Sequence, residues 1–136
     1  MDLGQMSERC GDNYKLLGVA VLEGWEFYIN NRHKANIAVD SVDPNAVVYG
    51  LLFEINEVAR NSLDKYEGYS KVPKVYSRII ENISFNGKFV KAWVYFDTNN
   101  LMTGKSDITD YLYRIIKVAE KFNFPKPYIT HLKSFI

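Results

Sequence analysis

Asn86-Gly87 stands between two runs of alternating residues, and this dipeptide constrains the fold more than any other feature of the chain. Both residues tolerate the positive φ that a type I′ turn requires, which makes Asn-Gly between such runs the strongest short-range hairpin signal. Val75, Ser77, Ile79, Glu81 and Ile83 alternate with Tyr76, Arg78, Ile80 and Asn82 before it, and Phe89 to Phe96 supplies the returning strand. An antiparallel hairpin is thereby predicted in the second half of the sequence.

Further strands precede it. Tyr14 to Leu22 forms an apolar run and Glu23-Gly24 a turn, after which Trp25, Phe27 and Ile29 alternate with Glu26, Tyr28 and Asn30. Asn30 to Lys34 is polar enough to be a loop, and Ala35, Ile37 and Val39 alternate again. Beyond the breaker Asp43-Pro44-Asn45, Val47 to Phe53 has the pattern of a fully buried central strand, in which Gly50 marks a bulge or a close backbone approach. Helical spacing appears in three places. Leu3, Met6 and Cys10 predict a short opening helix before Gly11, and Ile55, Val58, Ala59, Ser62, Leu63 and Tyr66 share one face of a helix that Gly68 stops. Ser106 or Asp107 caps a longer helix with the stripe Ile108, Tyr111, Leu112, Ile115, Val118, Ala119 and Phe122, and Pro125 and Pro127 end it. A brief last helix is expected from Tyr128 to Ile136. Neither a repeat nor a Gly/Ser linker divides the chain, so residues 1–136 are expected to be a single α+β domain with a curled, mostly antiparallel sheet.

Charge narrows the partners. Seventeen basic and sixteen acidic side chains leave a formal charge of +1, too little to hold a phosphate backbone or an anionic membrane. Exposed tyrosines could serve as RNA-stacking platforms, but that reading lacks the basic groove such binding needs. Cys10 is the one cysteine, and His33 and His131 give no zinc-like spacing, so neither a disulfide nor a metal site is expected. The first ten residues lack the apolar core of a signal peptide, and no stretch approaches the 18 apolar residues of a membrane span. A cytoplasmic protein is expected.

The order of two segments is distinctive. Val48-Tyr49-Gly50-Leu51-Leu52-Phe53-Glu54-Ile55, followed by Leu63-Asp64-Lys65-Tyr66-Glu67-Gly68-Tyr69, resembles the middle of γ-glutamylcyclotransferase-like proteins, in which a strand of the type V-x-G-x-x-(F/Y/W) leads into a helix ending L-D-x-x-E-G. Tyr76-Ser77-Arg78, Ala92-Trp93-Val94-Tyr95 and the closing residues Tyr111, Ala119, Pro125, Tyr128 and Leu132 continue the likeness. Family members open with a strand and a Y-G-S-N loop whose amides hold the substrate. Here Met1 to Cys10 resembles the family segment on the C-terminal side of that loop, so an exposed sheet edge is expected, and with it a route to a homodimer.

The resemblance implies the chemistry. The α-amine of a γ-glutamyl amide attacks its own γ-carbonyl, closes 5-oxoproline and expels an amine, with no water consumed. Ring closure within one molecule supplies high effective molarity, so proton handling is the main task left to the protein. An α-amine of pKa about 7.7 to 8.0 is largely protonated at neutral pH and needs a base, and the same group can return the proton to the leaving amine. Glu67 is the implied carboxylate. The role needs its pKa raised from about 4.3 towards neutrality, and its expected place in the last turn of a helix, at the negative end of the dipole, works in that direction, as burial would. Gly50, Tyr76 and Tyr111 are the implied substrate-binding residues, although Tyr111 also lies on a core stripe and Tyr76 and Arg78 also fit a cross-strand pair. Asp64 and Lys65 fit the solvated side of their helix, and His33 and Lys34 plain surface. The competing reading is a non-catalytic small-molecule-binding or protein-interaction module that keeps the fold without the amide-lined loop.

Overall fold

The computed structural model describes residues 3–66, 76–97 and 109–136. The elements follow the order α1 (Leu3–Cys10), β1 (Tyr14–Glu23), β2 (Trp25–Ile29), β3 (Ala35–Val39), β4 (Val47–Ile55), α2 (Glu57–Tyr66), β5 (Tyr76–Phe85), β6 (Lys88–Asp97), α3 (Thr109–Lys121) and α4 (Lys126–Lys133). Strands β4, β1, β5 and β6 form one antiparallel sheet in that order, and β2 and β3 form a separate hairpin. That hairpin lies beside both ends of the sheet, β2 next to β4 and β3 next to β6, so the strands curl towards a barrel without closing one.

The expected β5–β6 hairpin turns on Asn86 and Gly87 with φ of 50° and 76°, and its ladder runs unbroken from Phe85↔Lys88 to Tyr76↔Asp97. Two expectations for Val47 to Phe53 need correction. Strand β4 is an outer strand of the sheet, paired only with β1 among the described residues, and every residue in it except Glu54 is half-buried. Its two faces are apolar because each meets a different layer: Tyr49 and Leu51 pack on the cluster of α3 and α4, Leu52 packs on the apolar cluster of Ala20, Leu22, Trp25 and Ile83, and Val48 touches both. The bulge is also elsewhere. Gly50 pairs regularly with Ala20, and the register slips in β1 between Leu16 and Gly18. Gly18 takes φ of 145°, and a Cβ there would stand 3.3 Å from the Phe85 ring.

The main core lies between sheet and C-terminal helices. Leu112, Ile116 and Ala119 of α3 join Phe124, Tyr128 and Leu132 around Phe27 and Ile29 of β2. Ile116, absent from the expected stripe, is among its most buried members. Helix α3 stops at Lys121, where Asn123 turns at φ of 55° and the Phe124 N–H bonds to Ala119 O; the prolines then open α4. Near the N-terminus, Met6 and Cys10 of α1 meet Ala59 of α2, with Tyr14, Phe53, Ile55 and Leu63 packed around them. Helix α2 begins later than its spacing implied, because Ile55 belongs to β4 and the Asn56 side chain caps the helix by accepting the Ala59 N–H at 3.0 Å. The expected cap of α3 at Ser106 or Asp107 lies outside the described residues.

This packing has two measurable outcomes. Gly18→Ala imposes a Cβ on left-handed backbone beside Phe85 and lowers unfolding free energy by about 1 to 3 kcal/mol, whereas Gly50→Ala, with open space at that Cβ, leaves urea stability within about 0.5 kcal/mol. Burial pushes the Tyr128 phenol up from 10 to about 12. A pKa raised on folding means the stability it reflects is fully present below the unfolded value and is lost as pH rises from about 10 through about 12. Wild-type protein therefore loses roughly 2 kcal/mol more than Tyr128→Phe across that window in urea melts.

Candidate active site

The β2–β3 hairpin, the end of β6 and the start of α3 meet in a buried polar network. Asp97, fully buried at the end of β6, accepts a hydrogen bond from Asn30 Nδ2 at 2.6 Å and pairs with the Arg32 guanidinium through the same Oδ2. Asn30 Oδ1 accepts the backbone N–H groups of Arg32 and Lys34 at 3.0 and 3.1 Å, which fixes the turn between the two strands. Asn36 of β3 uses its whole amide. Its Oδ1 accepts the Asp97 N–H at 2.8 Å, and its Nδ2 donates to Asp97 O at 3.1 Å and to Tyr28 Oη at 2.8 Å. A side chain thus takes the place of the ladder that backbone would otherwise form between β3 and β6. Burial is the main reason that the Tyr28 phenol is raised.

Tyr111, half-buried on α3, joins this region: its hydroxyl accepts the Ala35 N–H at 3.2 Å, and the Lys34 ammonium stands 4.9 Å from its ring centroid. Tyr76 begins β5 directly opposite Asp97. The backbone of one candidate and the side chain of another are therefore assembled around one hairpin. Gly50 lies elsewhere, midway along β4. Glu67 falls outside the described residues, as does the Tyr76 side chain.

A second cluster surrounds the end of α2. Asp64 is not on the solvated side of its helix as its pattern implied; its side chain is 15% exposed, accepts the Tyr95 hydroxyl at 2.6 Å and pairs with Arg78 at 3.4 Å. The correction has a plain cause, since Arg78 and Tyr95 are opposite one another on β5 and β6 and present their polar ends to the helix together. Arg78 also lies over the Trp93 ring, 4.3 Å from its centroid. Burial first, and then the hydrogen bond to Asp64, push the Tyr95 phenol well above its usual value.

Asn30, Arg32, Asn36 and Asp97 were not singled out by sequence reasoning. Asn36 carried a weak signal as a polar residue between Ala35 and Ile37 in a short strand, while Asp97 at the tip of a strand carried none. A shallow groove of about 320 Å³ lies apart from this region, lined by Ile55, Asn56, Glu57, Arg60 and Trp93. Among the described residues no group of three or more His, Cys, Asp or Glu is arranged to hold a metal, and no helix is long and apolar enough to cross a membrane.

A curled antiparallel sheet backed by C-terminal helices, with the V-x-G-x-x-F strand leading into the L-D-x-x helix, defines a γ-glutamylcyclotransferase-like α+β fold. The model of the gamma-glutamyl cyclotransferase, AIG2-like family matches residues 3–114, and the chain belongs to that family. A solved gamma-glutamyl cyclotransferase aligns with a TM-score of 0.81 at 21% identity, covering 98% of this chain and 81% of its own length. An uncharacterised protein from Homo sapiens gives 0.80 at 22% identity, with 99% and 82% covered. YkqA from Bacillus subtilis gives 0.73 at 19% identity; 98% of this chain corresponds to 49% of that one. These likenesses establish the fold. No curated protein sequence matches the chain.

Asn36→Ala is expected to unfold at lower urea concentration, with a loss of about 3 kcal/mol, because it leaves the buried N–H and C=O of Asp97 unpaired. Asn36→Asp should be no better, since a carboxylate cannot donate to Asp97 O.

Proposed function

We propose that residues 1–136 form a single cytoplasmic domain that cleaves a γ-glutamyl amide, or a related aminoacyl amide, to 5-oxoproline and an amine, with Glu67 as general acid and base. In this reaction the α-nitrogen bonds to the γ-carbonyl carbon and the original amide C–N bond breaks. The α-ammonium sheds two protons in becoming the lactam N–H; each passes through the Glu67 carboxylate to the departing nitrogen, which leaves as an ammonium. Atoms balance without water, and no cofactor enters any step.

The observation that carries this reading is the family match over residues 3–114, a span that includes Leu63-Asp64-Lys65-Tyr66-Glu67-Gly68. The position of Tyr111 supports it. With the Ala35 N–H already occupying its oxygen, the ring is held at the hairpin, where a tyrosine assigned to substrate contact would have to be kept still. Tyr76 and Gly50 complete the proposed binding set. Selectivity for the leaving amine is assigned to the Asn30 to Lys34 turn and the stretch from Thr98 to Ser106. Any pairing of two copies is assigned to those lengths of the β4 and β6 edges that the β2–β3 hairpin beside them leaves uncovered.

Glu67→Gln is the test, measured as 5-oxoproline release from γ-glutamyl amides by this chain and by one extended with the family's opening strand and Y-G-S-N loop. The substitution keeps shape and hydrogen-bonding capacity but removes the base, so the rate should fall by about 10²- to 10⁴-fold. The melting temperature should hold or rise, because a carboxylate at the end of a helix opposes the dipole. An active Glu67→Gln would remove Glu67 from the mechanism. Wild-type protein that binds 5-oxoproline but never releases it from an amide would return the chain to a binding module.

A further inference from the structure

The face of α2 that turns Asp64 to the β5–β6 hairpin carries Arg60 one turn earlier, and Trp93 stands two residues before Tyr95 on the same side of β6. Both side chains line the shallow groove of about 320 Å³, with Ile55, Asn56 and Glu57. Arg60 is poorly satisfied there. Its Nε is buried without a hydrogen-bond partner among the described residues, and its Nη2 stands 3.8 Å from Glu57, one turn back on the same helix. That distance is beyond a hydrogen bond and the Glu57 side chain is 79% exposed, so the pair is loose and screened. Asn56 is committed elsewhere: its Oδ1 accepts the Ala59 N–H at 3.0 Å and its Nδ2 donates to Asn13 at 2.7 Å. The other cation on this side of the hairpin, Arg78, has both Asp64 and the Trp93 ring. A guanidinium held with a buried, unpaired Nε is costly, and an acceptor for its remaining N–H groups offsets that cost.

Trp93 supplies the second half. Arg78 covers one side of the indole, 4.3 Å from its centroid, yet 42% of the residue stays exposed, and its cross-strand partner Ile80 is exposed beside it. A flat apolar surface next to a fork of N–H donors suits a ligand that is planar at one end and carries a carboxylate at the other. Charge favours a monoanion over a phosphate dianion, because Glu57 stands next to the one guanidinium that would receive it. The volume is at the lower limit of small-molecule sites, which suits a single ring.

We propose that the groove between α2 and the β5–β6 hairpin binds a small aromatic carboxylate, with Arg60 holding the carboxylate and Trp93 carrying the ring. Glu57 competes with the ligand for Arg60, so removing its charge strengthens binding. The site uses no residue of the proposed cyclotransferase chemistry, and neither reading depends on the other.

The chain contains two tryptophans, so protein labelled with ¹⁵N at the indoles gives two Nε1–H signals. Trp93→Phe assigns one, and Trp25, buried in the core, is the internal reference. Benzoate added at constant ionic strength and pH should shift the Trp93 signal saturably, with a Kd of about 1 mM, and leave Trp25 in place. Benzamide has the ring without the charge and acetate the charge without the ring, and each should bind at least about tenfold more weakly. Arg60→Gln should raise the benzoate Kd by about tenfold or more and Arg60→Lys, which loses the planar fork, by about threefold. Glu57→Gln should lower it by about two- to threefold. A Trp25 signal at its wild-type position shows that a variant is folded, and the comparison of the three ligands on wild-type protein decides the matter even where a variant is not. No saturable shift below about 50 mM benzoate, equal binding of benzamide or acetate, or an unchanged Kd in folded Arg60→Gln would overturn the site.

Discussion

The amide of Asn36 is the joint on which the rest of the molecule depends. Strand β3 pairs with β2 along one edge, and on the other its contact with β6 is made by a side chain, an amide, which both donates and accepts in one plane. By bonding to the N–H and C=O of Asp97 it draws the hairpin across the end of the sheet. Asp97 then has its own carboxylate turned to Asn30 and Arg32, which fixes the turn that presents Lys34 and Ala35 to Tyr111. Asn30, Asn36 and Asp97 are buried and polar, so each depends on the others, whereas Arg32 and Lys34 reach solvent: a low-dielectric interior strengthens a satisfied network and penalises a broken one.

Much of the architecture was legible because local chemistry and tertiary packing agreed. Asn86-Gly87 had no competing conformation, and the α3 stripe pointed to the side that the core occupies. The disagreements have physical sources. An uninterrupted apolar run is ambiguous between a strand with two hydrogen-bonded neighbours and one that has helices on one face and a strand cluster on the other, and β4 is the second kind. Asp64 was misread because amphipathic spacing describes a helix alone, whereas its surroundings come from two strands that lie later in the sequence. Ile116 escaped the stripe for a related reason: α4 and β2 enclose α3 on a wider arc than a single apolar line covers.

The site was legible in a different manner. Glu67 is one of many glutamates by composition, and only its place in L-D-x-x-E-G distinguishes it. Tyr111 could be expected either in the core or at the substrate, and what the structure shows is a half-buried ring with its hydroxyl tied to the hairpin. The network behind it left no trace in spacing, since Asn30, Asn36 and Asp97 come from segments separated by up to 67 positions and are joined only by the fold.

The slip at Gly18 has an effect on how β1 divides its labour. Before the slip, Tyr14 shares a layer with Phe53 and Ile55 beneath α1 and α2; after it, Val19 lies with Leu51 and Tyr49 beneath α3 and α4. Even-numbered residues face the helices on the near side of the slip and odd-numbered ones on the far side, so one strand is written in two phases. A single side of the sheet can thereby carry two helix pairs, one from the first half of the sequence and one from its C-terminal end. The two pairs belong to separate apolar clusters, so sequence can drift beneath one pair without repacking the other.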